Sequence, residues 1–182
     1  MNADRQLRII DVVVKTAIVH TVTYALCGLI AFNVFNYSAM LANPTMSVYM
    51  RSTSDPIVRA GLLFQPLRGI LFGLVFFLLR DPFFRRKNGW LTIWATLVVI
   101  GIVSTFAPAS GSIEGLIYMK APPLSGWGGM VEILAQSLLL SLLTYFWVAY
   151  PERKWQNWVL GIAFAIFLIL PVLGLLAGGT GR

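Results

Sequence analysis

Five apolar stretches, each about as long as a lipid bilayer is thick, constrain this chain more than any other feature. Charges or turn-forming residues separate them, and they cover residues 17–35, 60–79, 90–106, 130–150 and 158–176. A helix needs about 20 mostly apolar residues to cross roughly 30 Å of hydrocarbon. Five such stretches in 182 residues leave no room for a separate soluble domain. The sequence therefore predicts an all-α fold, a single polytopic domain over residues 1–182 that forms a bundle of five transmembrane helices.

The composition is typical of a chain that lipid surrounds. Hydrophobic residues make up 58% of it and charged residues 12%, whereas soluble domains carry about 25% charged residues. The formal net charge is +7. The basic residues stand at the ends of the predicted helices, where they contact anionic headgroups and set the orientation of the chain. We therefore expect membrane lipids as partners and no nucleic acid.

The distribution of Lys and Arg predicts which side of the membrane each end of the chain faces, because short cytoplasmic loops carry an excess of these residues. If all five stretches cross, nine basic residues share the side of the N-terminus, namely Arg5, Arg8, Lys15, Arg80, Arg85, Arg86, Lys87, Arg153 and Lys154. The opposite side holds three, which are Arg51, Lys120 and Arg182. This pattern predicts a cytoplasmic N-terminus and an extracytoplasmic C-terminus.

The two loops on the predicted outer side, residues 36–59 and 107–129, are the longer ones. The second contains a short apolar piece that Ser110 or Ser112 is placed to cap, with Glu114 in its first turn. This piece is too short to cross a bilayer. The sequence predicts a short interfacial or re-entrant helix over residues 112–119.

Arg68 is the strongest candidate for a functional residue, because it lies near the middle of the second apolar stretch. A guanidinium stays charged, so an arginine at this depth faces the bundle interior or a water-filled cavity and needs a partner. Gln65 lies on the same helical face, three residues earlier. Pro66 is expected to kink the helix and free a backbone carbonyl for another donor.

Glu132, in the first turn of the fourth stretch, is the predicted counter-ion of Arg68. Gln136 follows Glu132 on the same helical face, and Glu114 is a second candidate for the counter-ion. Two hypotheses remain open. The residues form either a site for an anion or substrate that opens to the outer face, or a structural ion pair that fixes the register of two helices.

Gly69 and Gly73 form a Gly-x-x-x-Gly motif directly after Arg68. Small residues at this spacing let a second helix approach closely. The second helix belongs either to the same chain or to a partner, which would be another membrane protein or a second copy of this chain.

Little in the chain indicates catalysis or metal binding. His20 is the only histidine and Cys27 the only cysteine, and we expect both to be packing residues. The later methionines fall in or beside the outer loops, where copper binding and adaptable packing are alternatives. The sequence lacks the motifs of zinc proteases, serine hydrolases and nucleotide-binding loops. We predict no catalytic residue, no metal ion and no cofactor.

One combination of motifs resembles a known group of proteins. It comprises the stretch from Gln65 to Gly69, the basic hairpin after it, the Glu114 loop and the later helix that opens with Glu132. Over roughly residues 60–150 this order is similar to that of small, uncharacterised bacterial polytopic membrane proteins with a Gln-x-x-Arg-Gly helix motif. The resemblance implies that Arg68 and Glu132 act as a linked pair and that the chain lies in a bacterial inner membrane. It implies no activity.

The residues favour a non-enzymatic function. The leading hypothesis is a transporter-like or accessory component that binds a ligand, an ion or a partner through Arg68, Glu132 and the outer loops. One alternative is a structural subunit of a larger membrane complex. The other is a lipid-modifying enzyme, which would have to act through Arg68, Glu132 and Glu114.

Overall fold

The computed structural model describes residues 7–48, 50–119 and 127–179, and every regular element in these ranges is a helix. The long helices are α1 (Ile9–Val34), α5 (Gln65–Leu78), α7 (Gly89–Val98), α9 (Trp127–Ala149) and α10 (Trp155–Gly179). The short helices are α2 (Tyr37–Leu41), α3 (Pro44–Ser47), α4 (Pro56–Arg59), α6 (Arg80–Phe84) and α8 (Ile113–Tyr118). A 3₁₀ turn, Gly61–Phe64, precedes α5, and a π-helical turn, Val99–Val103, extends α7.

Four helices are long and apolar enough to cross a membrane. They are Ile9–Val34, Gly61–Leu78, Gly129–Ala149 and Trp155–Leu176, and they match the first, second, fourth and fifth predicted stretches. The all-α prediction is thus confirmed. The third predicted stretch, residues 90–106, forms a shorter apolar helix over Gly89–Val103. The structure therefore supports four to five spanning helices.

The first helix begins eight residues earlier than the predicted span at residue 17, because Lys15 is accommodated within it. The ammonium group of Lys15 donates a hydrogen bond to the carbonyl of Trp147 at 3.0 Å and lies 5.6 Å from the centre of the Trp147 ring. The aliphatic part of a lysine side chain packs well along apolar surface while its charged end reaches a partner. A charge near the end of an apolar stretch therefore did not mark the end of the helix.

Helix α1 is the centre of the bundle and contacts α5, α9 and α10. Polar residues lie on several of its faces, so its sequence shows no separate polar side. Three of them, Thr16, Thr21 and Thr23, are fully buried, and each hydroxyl donates to the carbonyl four residues earlier in the same helix. Hydroxyls satisfied in this way can be buried between helices at little cost.

Gly69 and Gly73 provide the close contact between α5 and α1. A Cβ atom on Gly69 would lie 2.5 Å from the Cα of Ala17, and one on Gly73 would lie 2.7 Å from the Cα of Val13. Both distances are too short for any side chain. The Gly-x-x-x-Gly motif therefore packs α5 against α1 of the same chain, which is one of the two alternatives that the sequence left open.

Two ends of the bundle can be distinguished, and the first is called the turn end. It holds the α6 segment, the link from α9 to α10 and the start of α1. Phe76, Phe83 and Tyr145 are buried here in one core cluster. The Tyr145 hydroxyl lies within 3.0 Å of the carbonyl of Arg86 and within 2.9 Å of the carbonyl of Lys87, so it anchors the basic hairpin to α9.

The opposite end, called the loop end, holds α2, α3, α4 and α8. Asn36, which has a positive φ of 48°, reverses the chain after α1. Helix α8 is the predicted short helix at residues 112–119, and Ser112 caps it by accepting the N–H of Gly115 at 3.0 Å. Asp55 caps α4, and this backbone bond together with the nearby Arg51 lowers the pKa of Asp55.

Helix α10 is the most exposed of the long helices. Trp158 is 73% exposed and Leu176 is 65% exposed, as are many apolar residues between them to similar degrees. Arg59 at the loop end donates to the carbonyl of Gly174, and Asn157 at the turn end accepts the indole N–H of Trp147. An apolar surface of this extent, held to the bundle at both ends, is typical of a helix that faces lipid.

The close contact of α5 with α1 can be tested with Gly69→Ala. We expect this variant to lower the free energy of unfolding by about 1–3 kcal/mol, because the added methyl group overlaps the backbone of α1. Gly161→Ala on α10 is the matched control, since a Cβ there meets open space. Denaturant unfolding in detergent measures both. Equal stability of the two variants would contradict the packing described for Gly69.

Candidate functional site

A partly open cavity of about 490 Å³ lies between α1, α5, α7 and α9 and extends to α2 at the loop end. Most of its wall is apolar, with contributions from Leu41, Phe72, Leu97, Ile102, Ile133 and Leu140. The polar residues of the wall include His20, Tyr37, Arg68, Glu132, Gln136 and Ser137. Three of the predicted site residues, Arg68, Glu132 and Gln136, therefore face the same space.

Gln65 connects α5 to α1 beside this cavity and is only 5% exposed. Its amide nitrogen donates to the carbonyl of Gly61 at 3.1 Å. Its amide oxygen accepts from an Nη atom of Arg68 at 3.3 Å and lies 3.2 Å from Nε2 of His20. Because a guanidinium can only donate, the Gln65 atom that meets Arg68 is an acceptor, the amide oxygen. Nε2 of His20 is therefore a donor, which leaves Nδ1 as the acceptor of a neutral ring.

His20 is the residue that sequence reasoning undervalued. It is 1% exposed, and its ring packs edge-on against Phe72 with 5.0 Å between the ring centres. Its Nδ1 is buried and has no hydrogen-bond partner within the described parts of the chain. The prediction of a packing residue covered the contact with Phe72 but missed the link to Gln65 and Arg68. Pairing the glycine motif of α5 with α1 would have placed His20, Gln65 and Arg68 at the same depth in the bundle.

Glu132 lies in the cavity wall nearer to the loop end. The hydroxyl of Tyr37, half-buried at the start of α2, donates to Oε2 of Glu132. The other carboxylate oxygen, Oε1, faces Gly28, where a Cβ atom would lie 3.9 Å away. The reversal of the chain after α1 brings Tyr37 over the cavity, so this contact joins α2 to α9.

Arg68 and Glu132 do not form the direct ion pair that the sequence predicted. The ion pairs within 4 Å in the described residues are Arg51 with Asp55 and Arg85 with Asp81. Arg68 lies at the level of His20, whereas Glu132 lies at the level of Gly28, which is eight residues further along α1. At 1.5 Å per residue these levels differ by roughly 12 Å. The two charges share a cavity without touching.

The remaining site predictions have mixed outcomes. Gln136 lies in the cavity wall, but Glu114 lies in α8 and is not among the described residues that form the cavity. Pro66 does not lie in the interior of α5, because it stands in the first turn of that helix directly after the 3₁₀ turn. A proline is well accommodated there, since its missing N–H has no partner in a first turn. The freed carbonyl that Pro66 predicted is therefore not a feature of this site.

The fold and the cavity define a class of protein, an all-helical membrane protein with a partly open, mostly apolar cavity to which the described residues contribute the cationic side chain of Arg68 and the acidic side chain of Glu132. Comparison of the chain with protein-family models, with curated proteins and with solved structures finds no match. The resemblance to small bacterial membrane proteins therefore depends on the sequence motifs alone.

The role of Gln65 can be tested with Gln65→Leu. We expect a loss of about 1–3 kcal/mol in the free energy of unfolding, because the change removes an acceptor from His20 and Arg68 and a donor from Gly61. Gln136→Leu is the matched control, since the structure gives Gln136 no hydrogen bond to the described residues. Thermal unfolding in detergent measures both. If the control were destabilised as strongly as Gln65→Leu, the proposed link from α5 to α1 would be wrong.

Proposed function

We propose that this protein is a multi-pass protein of the bacterial inner membrane that binds a small ligand in the cavity between α1, α5, α7 and α9. It acts without chemical turnover, as a transporter-like or accessory component. This proposal depends on one observation. Arg68 and Glu132 face the same cavity, but they do not form an ion pair with each other within 4 Å.

The unpaired charges favour a ligand site over a structural ion pair. A charged side chain within a membrane helix costs about 2.5–3.5 kcal/mol on insertion scales unless it is matched. A purely structural pair would put Arg68 against Glu132, and that contact is not made by these residues. Arg68 is bonded to Gln65, yet much of its side chain is exposed. A ligand that enters the cavity can supply the missing partners.

The size and lining of the cavity also support ligand binding. Small-molecule sites are typically clefts of about 300–1,000 Å³ with mostly apolar walls and a few polar groups that orient the ligand. The cavity of about 490 Å³ lies within this range. Its polar groups occupy two levels, one at His20 and Arg68 and one at Tyr37 and Glu132, so they can orient a ligand along the bundle axis.

The surroundings of His20 support binding rather than catalysis. Nucleophilic catalysis needs a serine, cysteine or similar group within hydrogen-bond distance of a base. Within the described residues, the side-chain hydrogen bond of His20 is the one to Gln65. An amide is not a nucleophile, so this histidine fixes the position of its neighbours rather than activating a reacting group.

The packing of α7 along α9 supports five crossings. Helix α7 runs antiparallel to α9, because Gly89 lies beside Tyr145 at the turn end and Trp94 donates to Ser137 further along. The π-helical turn that follows α7 continues to the cavity near the loop end. A short helix that reaches both ends of the bundle, together with the distribution of Lys and Arg, favours a cytoplasmic turn end.

The topology can be tested with a reporter fused after Arg182. We expect an alkaline phosphatase fusion to be active and a green fluorescent protein fusion to be dark, because five crossings put this end outside the cytoplasm. Insertion of the same reporters after Asn88, at the turn end, is the control and should give the opposite result. Fluorescence from the reporters at both positions would show an even number of crossings.

The ligand site can be tested by filling the cavity with Gly101→Phe. Gly101 lies in the cavity wall, and a Cβ there meets open space. Gly161→Phe on α10 is the matched control, since it also has open space but lies outside this cavity. Native mass spectrometry should detect a bound small molecule on the parent protein and on the control, with at least tenfold lower occupancy on Gly101→Phe. Equal occupancy on all three proteins would refute the proposed site.

A further inference from the structure

We infer that the ligand of this cavity is a zwitterion, with an anionic group that binds Arg68 and an ammonium group that binds Glu132. This inference rests on the proposed ligand site and adds the chemical class of the ligand. It follows from the donors and acceptors that the described side chains leave available in the cavity wall.

Arg68 defines the anionic end of the ligand. A guanidinium has five N–H donors in a planar fork, and Gln65 accepts from one of its Nη atoms at 3.3 Å. The other donors have no hydrogen-bond acceptor in the described residues, and much of the side chain is exposed. Carboxylates and phosphates match this fork with two parallel hydrogen bonds.

Glu132 binds the cationic end of the ligand. A carboxylate has about four lone-pair positions, and the hydroxyl of Tyr37 occupies one of them at Oε2. Oε1 faces Gly28 on α1 and makes no hydrogen bond to the described residues. An ammonium group has three donors and the opposite charge, so it is the natural partner.

The balance of charges distinguishes a zwitterion from a simple anion. An anion bound to Arg68 would leave the carboxylate of Glu132 uncompensated in surroundings of low dielectric, and both negative groups would repel. A zwitterion matches both charges and keeps the cavity neutral. The apolar wall formed by Phe72, Leu97 and Leu140 can hold an aliphatic part between or beside the charged groups. Because Arg68 and Glu132 lie at levels that differ by roughly 12 Å, the ligand needs charged groups several ångströms apart, as in ω-amino acids and phosphoethanolamine lipid headgroups.

The ligand class can be tested with two pairs of probes, with the full chain in an uncharged maltoside detergent. The first pair is 6-aminohexanoate, whose charged groups lie at opposite ends of an aliphatic chain, and hexanoate, which lacks the ammonium group. The second pair is dihexanoyl-phosphatidylethanolamine and dihexanoyl-phosphatidylglycerol, which lacks the ammonium group. Isothermal titration calorimetry should show that at least one zwitterion binds tenfold or more tightly than its anionic counterpart. Preference within the first pair identifies a soluble ligand, and preference within the second identifies a lipid headgroup.

Variants of Glu132 and Arg68 test which residue binds which charged group of the ligand. Glu132→Gln should weaken zwitterion binding about tenfold and leave anion binding unchanged or stronger, because it removes only the partner of the ammonium group. Arg68→Gln should weaken both kinds of probe. Arg68→Lys keeps the charge without the planar fork and should retain part of the affinity, so it replaces Arg68→Gln if that variant does not fold. Gly161→Phe should bind as the parent protein does.

The outcomes separate this inference from the proposed function. If a zwitterion and its anionic counterpart bind equally and Glu132→Gln has no effect, the inference of a zwitterion is wrong. If Gly101→Phe still weakens that binding, the proposed ligand site stands. If none of the four probes binds, the inference of a zwitterion is also wrong. Native mass spectrometry of the co-purified ligand then tests the ligand site by itself. If Gly101→Phe does not weaken the binding of a probe, both the zwitterion inference and the proposed ligand site are wrong.

Discussion

The close contact between α1 and α5 is the interaction on which the rest of this structure depends. Gly69 and Gly73 remove side chains from one face of α5 and so let the backbones of the two helices meet. That contact holds Gln65 beside His20 on α1 and leaves Arg68 facing the cavity. In a bilayer, apolar side chains gain little by leaving lipid, so close packing and hydrogen bonds between helices supply the stability.

The cavity lies beside this contact, in space that the packed helices leave unfilled. Helix α1 packs on both α5 and α9, and α7 packs on α9, yet a space among these four helices stays open toward the loop end. Tyr37 and Glu132 lie at that end, and His20 with Arg68 lies deeper in the bundle. The charged groups are held apart because each is bonded to a neutral neighbour, Arg68 to Gln65 and Glu132 to Tyr37. Charges that are held apart in this way remain available to a ligand.

Particular residues show how far sequence reasoning reached. Apolar length and the Gly-x-x-x-Gly motif predicted the helical fold and the packing of Gly69, because both depend on local composition. Arg68 and Glu132 were predicted as site residues because charge is rare in apolar helices, and both do lie in the cavity wall. Their direct contact was wrong, because spacing along the chain does not give the relative depth of two helices. The sequence also did not show that α1 extends back to Ile9, because Lys15 reaches a carbonyl on α9 that is distant in sequence.

The sequence by itself determined the surroundings and the elements of this protein, since long apolar stretches must become helices in lipid, where every backbone polar group needs an internal partner. Only the tertiary structure decided which polar residues meet. The partnership of His20 with Gln65 joins positions 45 residues apart, and that of Tyr37 with Glu132 joins positions 95 residues apart. Such contacts depend on how helices pack and at what depth, and no local pattern records that information.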